Sequence, residues 1–356
     1  MMAFIFLFVA FIISLFASLL ITPMVRKLAI IFNIVDQPDE RKIHTMEQPY
    51  LGGIAIFLGV MITYLMFWPN HDHQLAVILG AIVMLIVGFL DDKYNLKPVV
   101  KLVGQFIAAS IIVASDLLIE RINIPFLGEV ELGNLSVIIT IIWIIAVANA
   151  INLIDGLDGL AAGVTTIALL SIGVTAILDA NYVVAFLCII TIGSNLGFLY
   201  HNFYPSKIYM GDSGSLFLGY MIAVISMLGL FKNVTLFSFF IPLIILAVPI
   251  LDTVFVMYTR VKDGESIMLG DRKHLHYRLI DSGLSHRGAV LVIYAFSGLF
   301  GALGVLFSYS PINAVLIGAI VAVFLVHVIA EIVGLVLGGK QPVLDFLRKF
   351  IVKKRK

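Results

Sequence analysis

The chain has 356 residues, with 23 Lys and Arg against 22 Asp and Glu for a formal net charge of +1; 61% of it is hydrophobic, 13% is charged and the mean hydropathy is +1.09. No soluble domain of this length has such a composition, so the chain is read as an integral membrane protein. The near-zero net charge carries no information about partners, because it averages a basic side and an acidic one, and no nucleic-acid partner is expected.

A membrane-crossing helix needs about 20 mostly apolar residues. Eleven such segments are expected, at about residues 2–22, 51–68, 75–90, 99–118, 136–152, 161–178, 183–200, 214–231, 236–258, 288–307 and 312–334. The first has no basic residue before it and Arg26 and Lys27 just after it, the reverse of a cleavable signal peptide, so it reads as an anchor with its N-terminus outside. Alternation from there puts 21 of the 23 Lys and Arg on the inside, leaving only Arg121 and Lys232 outside. The positive-inside rule then gives an N-out, C-in topology. The acids Asp72, Asp116, Glu120, Glu129, Glu131 and Asp179 fall on or near outside loops. With short connections throughout, residues 1–356 read as one all-α polytopic membrane domain in the cell membrane, ending in a basic cytoplasmic tail over 340–356 that suits an anionic inner leaflet. Cys188 is the single cysteine and lies mid-span, which excludes an internal disulfide. The outside stretch 119–135 alternates apolar and polar residues around Pro125 and Gly128, the pattern of a small hairpin.

Four acid-bearing clusters interrupt the apolar chain, and the crossing count places all four on the inside. The first is Asp91-Asp92, with Lys101 just inside the next helix. Neighbours on a helix do not face the same way, so the two acids are expected to do different jobs. Their plainer reading is solvated residues at a helix end. The second cluster, Asn149 to Gly159, holds Asn149 and Asn152 on one helix face, then Asp155-Gly156 and Asp158-Gly159. Paired Asp-Gly steps suggest a broken turn with exposed N–H groups that could bind an anion or a metal, against a simple helix cap.

Asp212, in Met210-Gly211-Asp212-Ser213-Gly214-Ser215, opens the eighth span as either a cap or a ligand. Five carboxylates on one face, Asp91, Asp92, Asp155, Asp158 and Asp212, repel one another unless a cation is present. Hard oxygen donors without cysteine imply Mg2+ or Mn2+; the histidines keep zinc open. The fourth cluster carries His274, His276 and Arg278, and later Ser285-His286-Arg287, a loop suited to a diphosphate. His44, on the first inside loop, is a weaker candidate of the same kind. Asp252 lies within the ninth span after Pro249 and needs a partner there; capping or pairing with a neighbouring span is favoured over a place in a lipid-phosphate groove.

These residues resemble the polyprenyl-phosphate N-acetylhexosamine-1-phosphate transferases. The resemblance covers nearly the whole chain and rests on Asp91-Asp92 with Asn95 and Lys101, the block 149–163, the block 211–219, and His274-Leu275-His276. The stretches 41–44, 248–253 and 285–287 look most like the branch that begins wall teichoic acid synthesis in Gram-positive bacteria. The resemblance implies transfer of GlcNAc-1-phosphate from UDP-GlcNAc to undecaprenyl phosphate on the cytoplasmic face, releasing UMP. It implies Asp212 as the Mg2+ ligand and Asp91 and Asp92 as the catalytic pair, Asp91 being the base or phosphate-orienting group. It puts Asp155 and Asn152 near nucleotide and metal, makes Lys101 a phosphate contact, sets His274 and His276 near the diphosphate, and allows a homodimer. Two positions depart from the family pattern: Tyr277 stands where a third histidine is usual, and Tyr50 follows Pro49 where Arg is frequent. Two alternatives remain at this stage. One is transfer of phospho-MurNAc-pentapeptide; the other is an ion-coupled transporter, although transporter carboxylates sit near the bilayer midplane and these lie at helix ends.

Overall fold

The computed structural model describes residues 2–36, 48–124, 128–229, 240–266, 273–310 and 312–334. His44 and the basic tail 340–356 lie outside the described residues, as do Asp271 and Arg272. Each of the eleven expected segments is helical: α1 (Met2–Ile31), α2 (Gly52–Phe67), α3 (Gln74–Tyr94), α4 (Pro98–Ala114), α5 (Leu135–Ile154), α6 (Leu160–Leu178), α7 (Tyr182–Asn202), α8 (Gly211–Gly229), α9 and α10 (Phe240–Ile245 and Ala247–Asp263), α12 (His286–Tyr309) and α13 (Ile312–Val333). Between α10 and α12 lies one more short helix, α11 (Leu275–Asp281). Among the described residues, eight helices are long and apolar enough to cross a membrane: α1, α3, α5, α6, α7, α8, α12 and α13. Helices α2 and α4 are apolar but shorter.

The ninth segment breaks into two helices at Leu246 for a local reason. Pro249 has no N–H to offer the carbonyl of Ile245, and its ring crowds that same turn. The expected hairpin is present: β3 (Arg121–Ile124) pairs antiparallel with β4 (Gly128–Glu131), with Arg121 opposite Glu131. A second, unforeseen ribbon joins β1 (Val35–Asp36) to β2 (Gln48–Pro49).

Helix α8 is the axis of the bundle. It is buried from Ser213 to Leu228 and packs against α2, α3, α5, α6 and α7. At the periphery, α1 exposes Phe4, Ile5, Phe8 and Leu20, and α13 exposes Leu316, Ile317, Ile320 and Val323. Faces this apolar are suited to lipid rather than water. Inside, where lipid tails and side chains are equally oily, close backbone approach does the work. A Cβ on Gly88 of α3 would lie 2.4 Å from the carbonyl carbon of Asp212, so these helices touch backbone to backbone at the start of α8.

The segment after β2 is sewn to the same place, since Tyr209 N–H donates to Pro49 O, Gly52 N–H to Tyr209 O and Gly53 N–H to Met210 O, at 2.9–3.0 Å. Arg26, at the end of α1, donates to Lys207 O at 2.8 Å. Through these contacts the end of α1, the start of α2 and the end of α3 converge on the N-terminus of α8.

Candidate active site

The first turn of any helix leaves N–H groups without intrahelical partners. In α8 those donors are met by a side chain from another helix: Asp92 Oδ1 accepts the Asp212 N–H at 2.7 Å and Oδ2 accepts the Ser213 N–H at 3.1 Å. Gly211 permits this, with φ of +72° and no Cβ; a Cβ there would sit 2.6 Å from Asp92 Oδ2. Asp212 is therefore not the cap of its own helix. Its carboxylate is free to turn to the other side, where Lys101 of α4 bonds it and also bonds Asp91 Oδ2 at 3.1 Å. Asp91 Oδ1 accepts the Leu96 N–H at 2.9 Å, which fixes the carboxylate against the α3–α4 turn. Adjacent in sequence, Asp91 and Asp92 thus point to different partners.

Helix α5 ends beside this cluster. Asn152 donates to Ser215 Oγ at 2.8 Å and faces the Asp212 carboxylate. Asn149, one turn earlier, is engaged elsewhere: it exchanges two hydrogen bonds with Gln105 of α4, at 2.6 and 3.2 Å. Asp155, just past the helix end, is pushed up to about 8 by burial first and then by the charges of Asp212, Asp92 and Asp158. Asp158 ties the turn to its surroundings, its Oδ2 accepting from Ser206 N–H and its own N–H donating to His286 Nε2, each at 3.0 Å. Gly159 N–H donates to Asn202 Oδ1, and Tyr294 of α12 donates to Gly159 O. The broken turn anticipated from the two Asp-Gly steps is present, though its N–H groups at Asp158 and Gly159 are already bonded.

The histidine motif is not a loop. His274 is the extended N-cap of α11, with ψ of 152°, and its ring stacks on that of His276 at 5.7 Å with planes 12° apart. Residues two apart share a direction here because the first sits in strand-like geometry and the second in the helix. Both oxygens of Asp252 hold this start: Oδ2 faces His274 Nδ1 at 2.9 Å and Oδ1 accepts the Leu275 N–H at 2.7 Å. His276 is buried against Gly156, where a Cβ would lie 2.2 Å from its Nε2, and among the described residues neither ring nitrogen has a partner. Burial pushes the His276 imidazole down to about 4, outweighing the opposing pull of Asp252. Arg278 lies on the same short helix, and its Nε has no partner among the described residues. Tyr277 packs its ring 4.2 Å from that of His276. Tyr50, the other departure from the family pattern, hydrogen-bonds Asp36 of β1 and faces Asp92 and Asp212; burial raises its phenol.

Asp91, Asp92, Lys101, Asn152, Asp155 and Asp212 therefore meet around the α8 N-terminus, with His276 abutting the Asp155–Gly156 turn. Three positions were not foreseen, Gln105, Ser206 and Asp36, while His286 and Tyr50 were named from the sequence but not in these contacts. Gln105 was legible as a polar residue one turn after Lys101 on an otherwise apolar helix. The others act through backbone groups or distant loops, for which sequence spacing gives no signal.

Glycosyl transferase family 4 matches residues 74–230, the stretch from α3 to the end of α8 that carries all five aspartates and Lys101. Over 345 residues the chain is 43% identical to a probable undecaprenyl-phosphate N-acetylglucosaminyl 1-phosphate transferase of Bacillus subtilis (strain 168), covering 96% of each protein. The chain belongs to the polyprenyl-phosphate N-acetylhexosamine-1-phosphate transferases. This transferase is also 34% identical over 339 residues to a decaprenyl-phosphate N-acetylglucosaminephosphotransferase of Mycolicibacterium smegmatis, across 86% of this chain and 83% of the relative. It is 33% identical over 315 residues to an undecaprenyl-phosphate alpha-N-acetylglucosaminyl 1-phosphate transferase of Haemophilus influenzae, across 85% and 88%. Membership of a transferase family removes the ion-coupled transporter as a reading of the buried acids.

Proposed function

We propose that this transferase moves GlcNAc-1-phosphate from UDP-GlcNAc to undecaprenyl phosphate at the cytoplasmic face, releasing UMP and supplying a cell-envelope polymer such as teichoic acid. The observation that carries this reading is the meeting of Asp91, Lys101 and Asp212, from three helices, at the N-terminus of α8. A lysine flanked by carboxylates is a group that handles phosphates, and it stands where α3 ends and α4 and α8 begin. GlcNAc is favoured over phospho-MurNAc-pentapeptide because the three relatives above are all named for N-acetylglucosamine.

In the reaction, an oxygen of the lipid phosphate attacks the β-phosphorus of the sugar nucleotide. A new diphosphate bond forms as the bond to the α-phosphate oxygen breaks and UMP leaves. A phosphate monoester with a second pKa near ~6 is already largely ionised at neutral pH, so alignment and charge neutralisation matter more than a strong base. Direct displacement is thus preferred to an aspartyl-phosphate intermediate. Lys101 would pass from its carboxylates to an incoming phosphate, Asp91 would orient the attacking oxygen, and Asp92 would keep the α8 N-terminus and Asp212 in place. His276 and Arg278 are the donor-side contacts proposed for the diphosphate.

Among the described residues no group of three or more His, Cys, Asp or Glu is arranged to enclose a metal ion. That suits Mg2+, which keeps its waters and takes one or two carboxylates plus substrate phosphates, better than a metal that needs a full protein cage. Asp212, with Asp91 across Lys101, would hold it, and when bound it would neutralise charge on the transferred phosphate. Mn2+ fits the same oxygen donors. The test is Mg2+-dependent UMP release from UDP-GlcNAc in the presence of undecaprenyl phosphate. Wild type is expected to turn over and Asp212→Ala to lose nearly all activity; a mutant as active as wild type would remove the metal assignment.

A further inference from the structure

The chain from Lys273 onward packs back on α10, the helix that precedes it. Asp252 and Asp263 are 11 residues apart on α10, which at 1.5 Å per residue is about 16 Å of helix. Yet His274, after the loop, is again at the level of Asp252. Two clamps close the return: Lys273 bonds Asp263 and Glu265 at 2.8 and 2.7 Å near the helix end, and Asp252 takes His274 and the Leu275 N–H. The first clamp is exposed and worth little by itself. The second is different, because Asp252 is 1% exposed and both of its oxygens are used.

A carboxylate only accepts, so the His274–Asp252 bond places a proton on His274 Nδ1. The same carboxylate meets the first N–H of α11, so ring orientation and helix start are set by one group. His276, stacked on His274 and 1% exposed, then presents against the Asp155–Gly156 turn two nitrogens that have no partner among the described residues. Buried nitrogens without partners are costly unless something else supplies the bond. A polar part of a bound substrate would do so.

Building on the transferase reading above, we propose that Asp252 is a positioning residue for donor binding: it fixes the Nδ1–H form of His274 and pins the first turn of α11, so that His276 is aimed at the sugar nucleotide. Asp252 touches no reacting atom and acts only through the two groups it holds. Asn at this position has nearly the same shape, and its oxygen can still accept from Leu275. Its NH2, however, opposes the Nδ1–H of His274, which must then move its proton to Nε2.

The experiment is steady-state kinetics with both substrates titrated, on wild type, Asp252→Asn, His274→Asn and the double variant, together with melting temperatures in detergent. The expected result for Asp252→Asn is a rise of about 10- to 100-fold in KM for UDP-GlcNAc, in the range of losses when a partner that orients a ligand group is removed. KM for undecaprenyl phosphate and the melting temperature are expected to stay close to wild type. His274→Asn should show the same split, since its amide can still donate to Asp252, and the double variant should be no worse than the worse single one. Wild-type kinetics in Asp252→Asn would overturn the proposal. Equal loss toward both substrates with a lowered melting temperature would do the same, by reducing Asp252 to a fold-holding acid. Failure of wild type to release UMP would instead sink the underlying transferase assignment, so the two failures are distinguishable.

Discussion

Asp91 and Asp92 show how much one residue of separation decides. Near the end of α3 the first faces Lys101 and the second faces the backbone of α8, so equal chemistry yields an ion-pair partner for a lysine and a cap for another helix. Replacing Asp92 by Asn leaves one acceptor and sets an NH2 against an N–H. Loss of a cap costs about 1–2 kcal/mol, and an unsatisfied buried donor about as much again. Asp92→Asn is therefore expected to melt several degrees below wild type in detergent and to lose activity with it, whereas Asp91→Asn should lose turnover while keeping most of its thermal stability. Equal melting temperatures for the two variants would mean that the Asp92 contacts do not hold the start of α8. That these acids differ in role was readable from helix geometry alone. Which one did which job was not, because the answer depends on a glycine with positive φ 119 residues further along the chain, and sequence distance says nothing about such a meeting. Asp158 makes the same point: its spacing from Gly159 shows an acid in a turn, but not that the Ser206 N–H reaches it from 48 residues away.

At the scale of elements, the strongest signal in the chain is apolar run length, and each expected segment holds a helix, eight of them among the described residues long and apolar enough to cross a membrane. What it could not reveal were interruptions that depend on tertiary contacts. Segment 236–258 breaks at Leu246 under the influence of Pro249, and α11 forms from residues whose periodicity is too short to register, because Asp252 from another helix caps it. Pairing between helices is likewise invisible in hydropathy. The exchange of two amide hydrogen bonds between Gln105 and Asn149 joins α4 to α5, and it keeps Lys101, one turn before Gln105, at the height of Asp91 and Asp212. Polar pairs between membrane helices are worth about 0.6 kcal/mol on average and up to about 1.7. A double-mutant cycle of Gln105→Ala and Asn149→Ala, followed by unfolding in mixed micelles, is expected to give a coupling energy in the upper part of that range, since cutting either amide removes both bonds between the helices. Strictly additive losses would show that the pair contributes nothing beyond its separate packing.

For the whole molecule, the contacts themselves supply a check on crossing parity. The end of α3, the start of α4, the end of α5 and the start of α8 meet in one cluster, which requires an even number of crossings between α5 and α8; α6 and α7 provide two. Which side of the bilayer that cluster faces is a separate matter, set by charge. With 21 of 23 basic residues assigned to the cluster's side, and each Lys or Arg near the membrane surface worth about 1 kcal/mol toward the anionic leaflet, a cytoplasmic site with the N-terminus outside is the expected arrangement. Because Cys188 is fully buried and is the single cysteine, added cysteines can be read without removing it. Asp72→Cys and Glu131→Cys, both at exposed positions, should react with a membrane-impermeant maleimide on intact cells. Lys97→Cys and Ser282→Cys, exposed on the site's side, should react only after permeabilisation. Labelling of Lys97→Cys from outside would invert the orientation and deprive the site of a cytosolic sugar nucleotide, while labelling of Asp72→Cys and Lys97→Cys from the same side would remove α3 as a crossing and with it the parity that gathers the aspartates.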